Sequence, residues 1–293
     1  MPHVVCVGDL MVDVVAQLPG PLAPGSDTPA TITLHGGGAA ANVAAWLAAC
    51  GTRATFVGRV GDDALGRRAV ADLTAAGVIA AVSVDPTRAT GTCIVLVDPD
   101  GERTMIPDGG ANAGLGQVAA AAVLPDDADC LYVSGYALLG AGSRPFALAA
   151  LAVARERSWT VAVDAASAAP RAAPGSEAFA AGVGQDVLLF ANDDEARVLA
   201  GLDADPVTSL GGRFGEAVVK NGSAGAHWSD GVLRQSVAPD PVTALDSTGA
   251  GDAFSAGFLA ARLAGQDVAG CLLAAAALGA RAVSRAGARP AYS

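Results

Sequence analysis

The chain has 293 residues, 52% of them hydrophobic and 16% charged, with 37 glycines and a net charge of −11. That length and apolar content can bury a large core and exclude a disordered chain. The acidity excludes a nucleic-acid partner, which needs basic clusters, although backbone amides can still bind a phosphate locally.

In chain order, the first predicted element is a strand at 3–8 (HVVCVG), which follows the start without a basic leader. No signal peptide is expected, and the protein should be cytoplasmic. Residues 12–35 carry a pair of short strands, VDVVAQL and ATITLH, and a helix follows at 40–50. A strand at 54–58 and a helix at 64–76 come next, then a hairpin at 91–107 whose strands GTCIVLV and ERTMI meet at a DPDG turn. Further strands are predicted at 130–134, 160–164, 186–190 and 216–220, with helices at 145–157, 192–200 and 209–215 and a loop at 165–175. Two longer helices, 252–264 and 267–284, close the pattern. The Ala/Leu run at 271–280 falls well short of the ~20 apolar residues of a membrane span, so no membrane partner is expected. Strands apolar on both faces, alternating with helices, predict an α/β three-layer sandwich with a mostly parallel sheet in one domain, 1–293. The segments 12–35 and 91–107 have no covering helix. They are expected to meet as a small antiparallel sheet projecting from the body.

Several chemistries are absent. Cys6, Cys50, Cys93, Cys130 and Cys271 are scattered without a CxxC and read as buried thiols. His3, His35 and His227 lie far apart, which supports neither a structural zinc nor a histidine triad. The single lysine, Lys220, does not follow GxxxxG, so a P-loop is missing. The first strand leads into GDLMVD rather than GxGxxG, which removes the nicotinamide fingerprint.

The informative segment is DSTGAGDAF at 246–254, a glycine-rich turn running into an apolar helix. It places the free amides of Gly249, Ala250 and Gly251 at the positive end of a helix, a ready anion site. Asp252, in the first helical turn, could take a proton from a hydroxyl while those amides stabilise charge on a moving phosphoryl. An isolated Asp there would be only a helix-charge residue; the whole string argues for more. A second cluster, Gly36-Gly37-Gly38 followed by Asn42, permits close ligand approach. A third, Asn192-Asp193-Asp194-Glu195, follows a strand end, where α/β sheets bind ligands, and Glu195 suits water around Mg²⁺.

Gly37-Gly38…Asn42, the NxxE at 192–195 and DSTGAGD at 246–252, in this order and spacing, resemble the PfkB/ribokinase family of sugar and nucleoside kinases. Lys220-Asn221-Gly222-Ser223-Ala224-Gly225 and Gly109-Gly110-Ala111-Asn112 resemble further loops of that family. The resemblance implies a ribokinase-like fold, with 12–35 and 91–107 as a β lid. It implies ATP and Mg²⁺ as cofactors and a small sugar or nucleoside as substrate. Asp252 would be the base and the amides of Gly249, Ala250 and Gly251 the anion hole. Asn192, Lys220, Gly222 and Gly225 would bind nucleotide, with Glu195 holding Mg²⁺ through water. Asp13, Gly37, Gly38 and Asn42 would hold the acceptor, and Asp246 and Thr248 a monovalent cation such as K⁺. Met11 and Ala39 depart from the Asn and Lys typical of ribokinases, which weakens ribose as the acceptor. No aromatic residue lies in either lid segment, which lowers the nucleoside reading. Arg103 on the hairpin could meet an acidic or phosphorylated sugar. The expected function is phosphorylation of a sugar hydroxyl. The alternatives are a nucleoside kinase and a non-catalytic binding regulator. The exposed edges of the lid would suit a homodimer.

Overall fold

A computed structural model describes residues 1–166, 175–201 and 205–290. Most of the loop expected at 165–175 lies outside these residues.

Strand β1 (His3–Val7) is buried at every position, so its side chains serve both faces of a sheet. Val4 and Cys6 enter one apolar cluster, Val5 and Val7 another. β1 pairs in parallel with β4 (Arg53–Gly61) and β8 (Cys130–Ser134). The sheet also contains β5 (Ile79–Asp85), β9 (Thr160–Asp164), β10 (Val187–Asn192), β11 (Gly215–Lys220), β12 (Ala226–Ser229) and β13 (Arg234–Val237). Its order is β13-β12-β11-β10-β9-β8-β1-β4-β5, and the pairs are parallel except for β11–β12 and β12–β13. β5, β12 and β13 were not among the predicted strands. β5 (IAAVSVD) is only partly buried along most of its length, and the outer pair is short, so neither shows the apolar run of a central strand.

Helices α1 (Ala39–Ala49), α2 (Ala64–Ala75), α9 (Ala250–Leu263) and α10 (Val268–Val283) cover the first cluster. The opposite face carries the short α3 (Ala120–Val123) and α4 (Gly135–Leu139), then α5 (Arg144–Glu156), α6 (Gly175–Val183), α7 (Asp193–Ala200) and α8 (Pro206–Phe214). The expected three-layer α/β/α sandwich is therefore present.

A second sheet is built from β2 (Met11–Gln17), β3 (Thr31–Gly37), β6 (Gly91–Val97) and β7 (Arg103–Asp108), in the order β3-β2-β6-β7. The two predicted lid segments do meet, but the join corrects the expected antiparallel sheet: β2 and β6 run parallel. Each continues outward from a parallel strand of the main sheet, β1 or β5, so they leave the body in the same direction. Asn112 pins the β1–β2 turn. Its Oδ1 accepts from Leu10 N at 3.0 Å and its Nδ2 donates to Leu10 O at 3.1 Å.

Among the described residues, no helix is long and apolar enough to cross a membrane. Cys50 is exposed, unlike the other four cysteines, because it caps the C-terminus of α1 at the surface.

Candidate active site

The turn before α9 explains the glycines of the 246–252 string. Gly249 sits at φ 73°, and a Cβ there would lie 2.4 Å from Ala288 O. Asp246 organises the approach, its Oδ1 accepting from Thr248 N at 2.7 Å and its Oδ2 from Gly287 N at 2.9 Å. The Ala250 amide reaches back to Ser247 O at 3.3 Å. The expected trio of anion-binding amides thus has one member already engaged by the tight turn. The first-turn amides of Gly251 and Asp252 have no carbonyl a full turn earlier in α9, the normal state of a helix N-terminus.

Asp252 has part of its surface open to solvent, but protein is packed closely around its carboxylate. Burial pushes its carboxyl up to about 7, and the Asp164 carboxylate adds to the effect. A hydrogen bond from Asn42 and the charges of Lys220 and Arg289 pull the other way. Asn42, buried on α1, donates from Nδ2 to Asp252 Oδ2 at 2.8 Å.

Lys220 ends β11 and donates to Asp164 Oδ2 at 2.9 Å, with Ser255 Oγ at 3.5 Å. A Cβ on Gly251 would stand 3.4 Å from its Nζ, so the ammonium borders the first turn of α9. Burial alone would lower its pKa, but the carboxylates of Asp164, Glu195 and Asp252 raise it overall. Gly222 and Gly225 form the turn from β11 into β12, at φ 55° and 97°. Asn221 N closes that turn on Gly225 O at 2.7 Å.

On the other side, Asp13 is buried in β2 and opposite His35 in register. Burial raises its carboxyl, opposed by Arg289 and His35. Gly37 must lack a side chain, because a Cβ would fall 2.2 Å from Asp13 Oδ1. Gly38, at φ 94°, leaves a Cβ no room beside Asp9 O.

Asn192 and Glu195 form a capping box at the start of α7. Glu195 accepts from Asn192 N at 2.8 Å and from Asn192 Nδ2 at 2.9 Å. Among the described residues, no group of three or more His, Cys, Asp or Glu side chains is placed to hold a metal.

Arg103 does not stand free for an acceptor. It ion-pairs with Asp246 and donates to Thr248 Oγ1, joining the lid to the loop before α9. Asp246 and Thr248, the residues expected at a monovalent cation, are thus the ones that Arg103 meets.

Four contributors escaped sequence reasoning. Asp164 and Asp9 each sit at a strand end, the positional signal already used for 192–195, and burial pushes Asp9 up to about 6. Tyr136, 45% exposed in α4 just after β8, has its phenol raised by burial and further by the carboxylates of Glu195, Asp164, Asp252 and Asp9. Arg289, near the C-terminus, had no local signal.

The chain's relatives include an ATP-dependent ribose-1-phosphate kinase of Halopiger xanaduensis, 37% identical over 263 residues, covering 87% of this chain and 83% of the relative. A fructokinase of Klebsiella pneumoniae is 30% identical over 247 residues, covering 76% of each. Solved structures with the same fold include an adenosine kinase from Sinorhizobium meliloti (TM-score 0.85, 23% identity, 99% of this chain and 95% of that one). A ribokinase from Thermotoga maritima superposes with TM-score 0.79 at 22% identity, over 98% of this chain and 94% of that one. The fold is thus ribokinase-like, with one large mostly parallel sheet and a smaller second one. The sequence model describing pfkB family carbohydrate kinases matches residues 1–293, and with these relatives it places the chain in that family of kinases.

Proposed function

We propose that the protein transfers the γ-phosphoryl of ATP to a hydroxyl of a small sugar or sugar phosphate, with Asp252 as general base. The observation that carries this reading is the setting of Asp252 at the start of α9, held by Asn42 and bordered by Lys220. In the reaction an acceptor oxygen attacks the γ-phosphorus as the bond to the β,γ-bridging oxygen breaks. The hydroxyl proton passes to Asp252, and ADP leaves. A carboxyl near 7 is ionised for much of the time at neutral pH yet basic enough to accept that proton. The amides of Gly249, Gly251 and Asp252, together with the Lys220 ammonium, would hold the charge on the phosphoryl.

Asp13, Gly37, Gly38 and Asn42 would line the acceptor side, and Gly222 and Gly225 the nucleotide side. Mg²⁺ would neutralise the triphosphate. The donor set fits an ion bound chiefly by phosphates and water, with Asn192 and Glu195 contacting it through water. Asp246 and Thr248 would hold a monovalent cation such as K⁺, with Arg103, which meets both, moving aside to admit it.

The relative at 37% identity is named for ribose 1-phosphate, which favours a phosphorylated pentose among the acceptors. Tyr136, an exposed aromatic whose phenol feels the carboxylates of Glu195, Asp164 and Asp252, supports a nucleoside as the second reading. An ADP-release assay with ATP and Mg²⁺ over ribose 1-phosphate, fructose, ribose, adenosine and cytidine separates them. Turnover with a sugar or sugar phosphate is expected; turnover confined to nucleosides would select the second reading. ATP binding by calorimetry without any ADP release would leave a binding protein.

The lid's outer face supports the expected homodimer. Leu34, Val14, Ile94 and Ile106 lie in register across it, with Ile94 45% and Ile106 52% exposed. Light scattering should report a dimer that Ile94→Glu converts to monomer. A monomeric parent would end this proposal.

A further inference from the structure

Arg289 follows α10 and is 8% exposed, an unusual site for a guanidinium. A buried arginine is tolerated only where its donors are used. Its Nε donates to Asn42 Oδ1 at 3.0 Å and its Nη2 to Gly37 O at 2.7 Å. The side chain passes Gly36, where a Cβ would meet Nη1 at 2.4 Å and Cζ at 2.7 Å. Gly36 thus leaves the room that lets Arg289 reach Asn42 and Gly37 O.

The polarity of these contacts matters. A guanidinium can only donate, so the atom of Asn42 facing Nε must be the amide oxygen. The other end of the amide, the NH₂ group, is then forced to face Asp252, which it reaches at 2.8 Å. Without Arg289 the amide could turn over and present its oxygen to a carboxylate, which would repel it. Arg289 also carries a positive charge that both Asp13 and Asp252 feel.

We propose that Arg289 is a positioning residue for phosphoryl transfer: it fixes the orientation of the Asn42 amide and, through that amide and its own charge, keeps Asp252 ionised and aimed at the acceptor. The inference rests on reading Asp252 as the base. Other groups facing Asp252 are Lys220 from β11, Asp164 from β9, Tyr132 from β8 and Tyr136 from α4. None of these touches the Asn42 amide oxygen in the structure, so none can replace Arg289 in setting its direction.

The test reads the Asp252 carboxyl directly, in protein labelled with ¹³C-aspartate, its signal assigned by its loss in Asp252→Asn. In Arg289→Gln the Asp252 titration should move up by roughly one pH unit. Gly36→Ala, which pushes the guanidinium aside without altering its charge, should move it in the same direction. Arg289→Lys should keep the titration within about half a unit, since the charge remains. With an acceptor found by the ADP-release assay, Arg289→Lys should still lose roughly tenfold in kcat with little change in the KM for ATP. If Arg289→Gln is too unstable to titrate, Gly36→Ala and Arg289→Lys decide the matter. An Asp252 titration unchanged by displacing the guanidinium would overturn the proposal. The titration needs no acceptor, so it stands or falls separately from the kinase reading.

Discussion

Asp252→Asn is expected to lower kcat by roughly 10²–10⁴-fold while changing the affinity for ATP only a few-fold. The substitution keeps the shape and the contact with Asn42 but removes the atom that takes the proton. Single-turnover kinetics and calorimetric ATP titration check the two halves separately. Near-normal turnover would sink the assignment of the base. The parent's kcat/KM should itself fall as pH drops below about 7, because burial holds the Asp252 carboxyl there and the protonated acid cannot accept a proton.

The same variant should be more stable than the parent at high pH. The folded carboxyl titrates near 7 and the unfolded one near 3.8, so ionisation opposes folding. The penalty is absent below the unfolded value, grows between the two, and is complete above 7. A fully desolvated shift of this size corresponds to about 4 kcal/mol, and the partial exposure of Asp252 reduces it to about 1–2 kcal/mol. Asp252→Asn should therefore raise Tm by about 2–5 °C at pH 8, with the gain disappearing near pH 4. A constant gain across that range would point to packing rather than charge.

Gly249→Ala should be the other severe change, with kcat lower by roughly 10²–10³-fold and Tm lower by about 3–8 °C. An alanine at φ 73° is strained, and its Cβ would press on Ala288 at O, Cα and Cβ, 2.4, 2.7 and 2.8 Å away. Backbone at Ala288 cannot rotate out of the way as a side chain would, so the turn itself must shift. That turn sets where the first amides of α9 point. Gly265→Ala is the control. Gly265 has a similar φ of 83°, but its Cβ would meet open space. It should share the backbone strain while leaving kcat unchanged. Equal kcat in the two variants would show that the turn before α9 takes no part in the reaction.

The candidate site was legible to the extent that its parts are contiguous in the chain. DSTGAGD announces a glycine turn and a helix start because both depend on neighbouring residues, and α9 begins at Ala250, two residues before the helix start expected from the sequence. Strand β1 was legible for the same reason, since a strand buried on both faces needs only a local apolar run. The two lid segments stood out because no helix covers them. Their parallel join was not visible, because pairing between β2 and β6 depends on where β1 and β5 deliver them.

From composition and local pattern alone the chain's class could be read, and from its resemblance to a family the kinase motifs and the part expected of Asp252. The partners that shape the behaviour of Asp252 could not. Asn42 lies 210 residues away from it, and Arg289 is 247 residues from Asn42. Lys220 meets Asp164 across 56 residues, and Arg103 reaches Asp246 across 143. Helical and strand periodicities report on a few neighbouring residues, whereas these meetings follow from the order in which the strands join the sheet. That order brings the ends of β9 and β11, the start of α1 and the C-terminal segment around one helix N-terminus. Burial there, rather than the sequence around Asp252, moves its carboxyl into the range of a base.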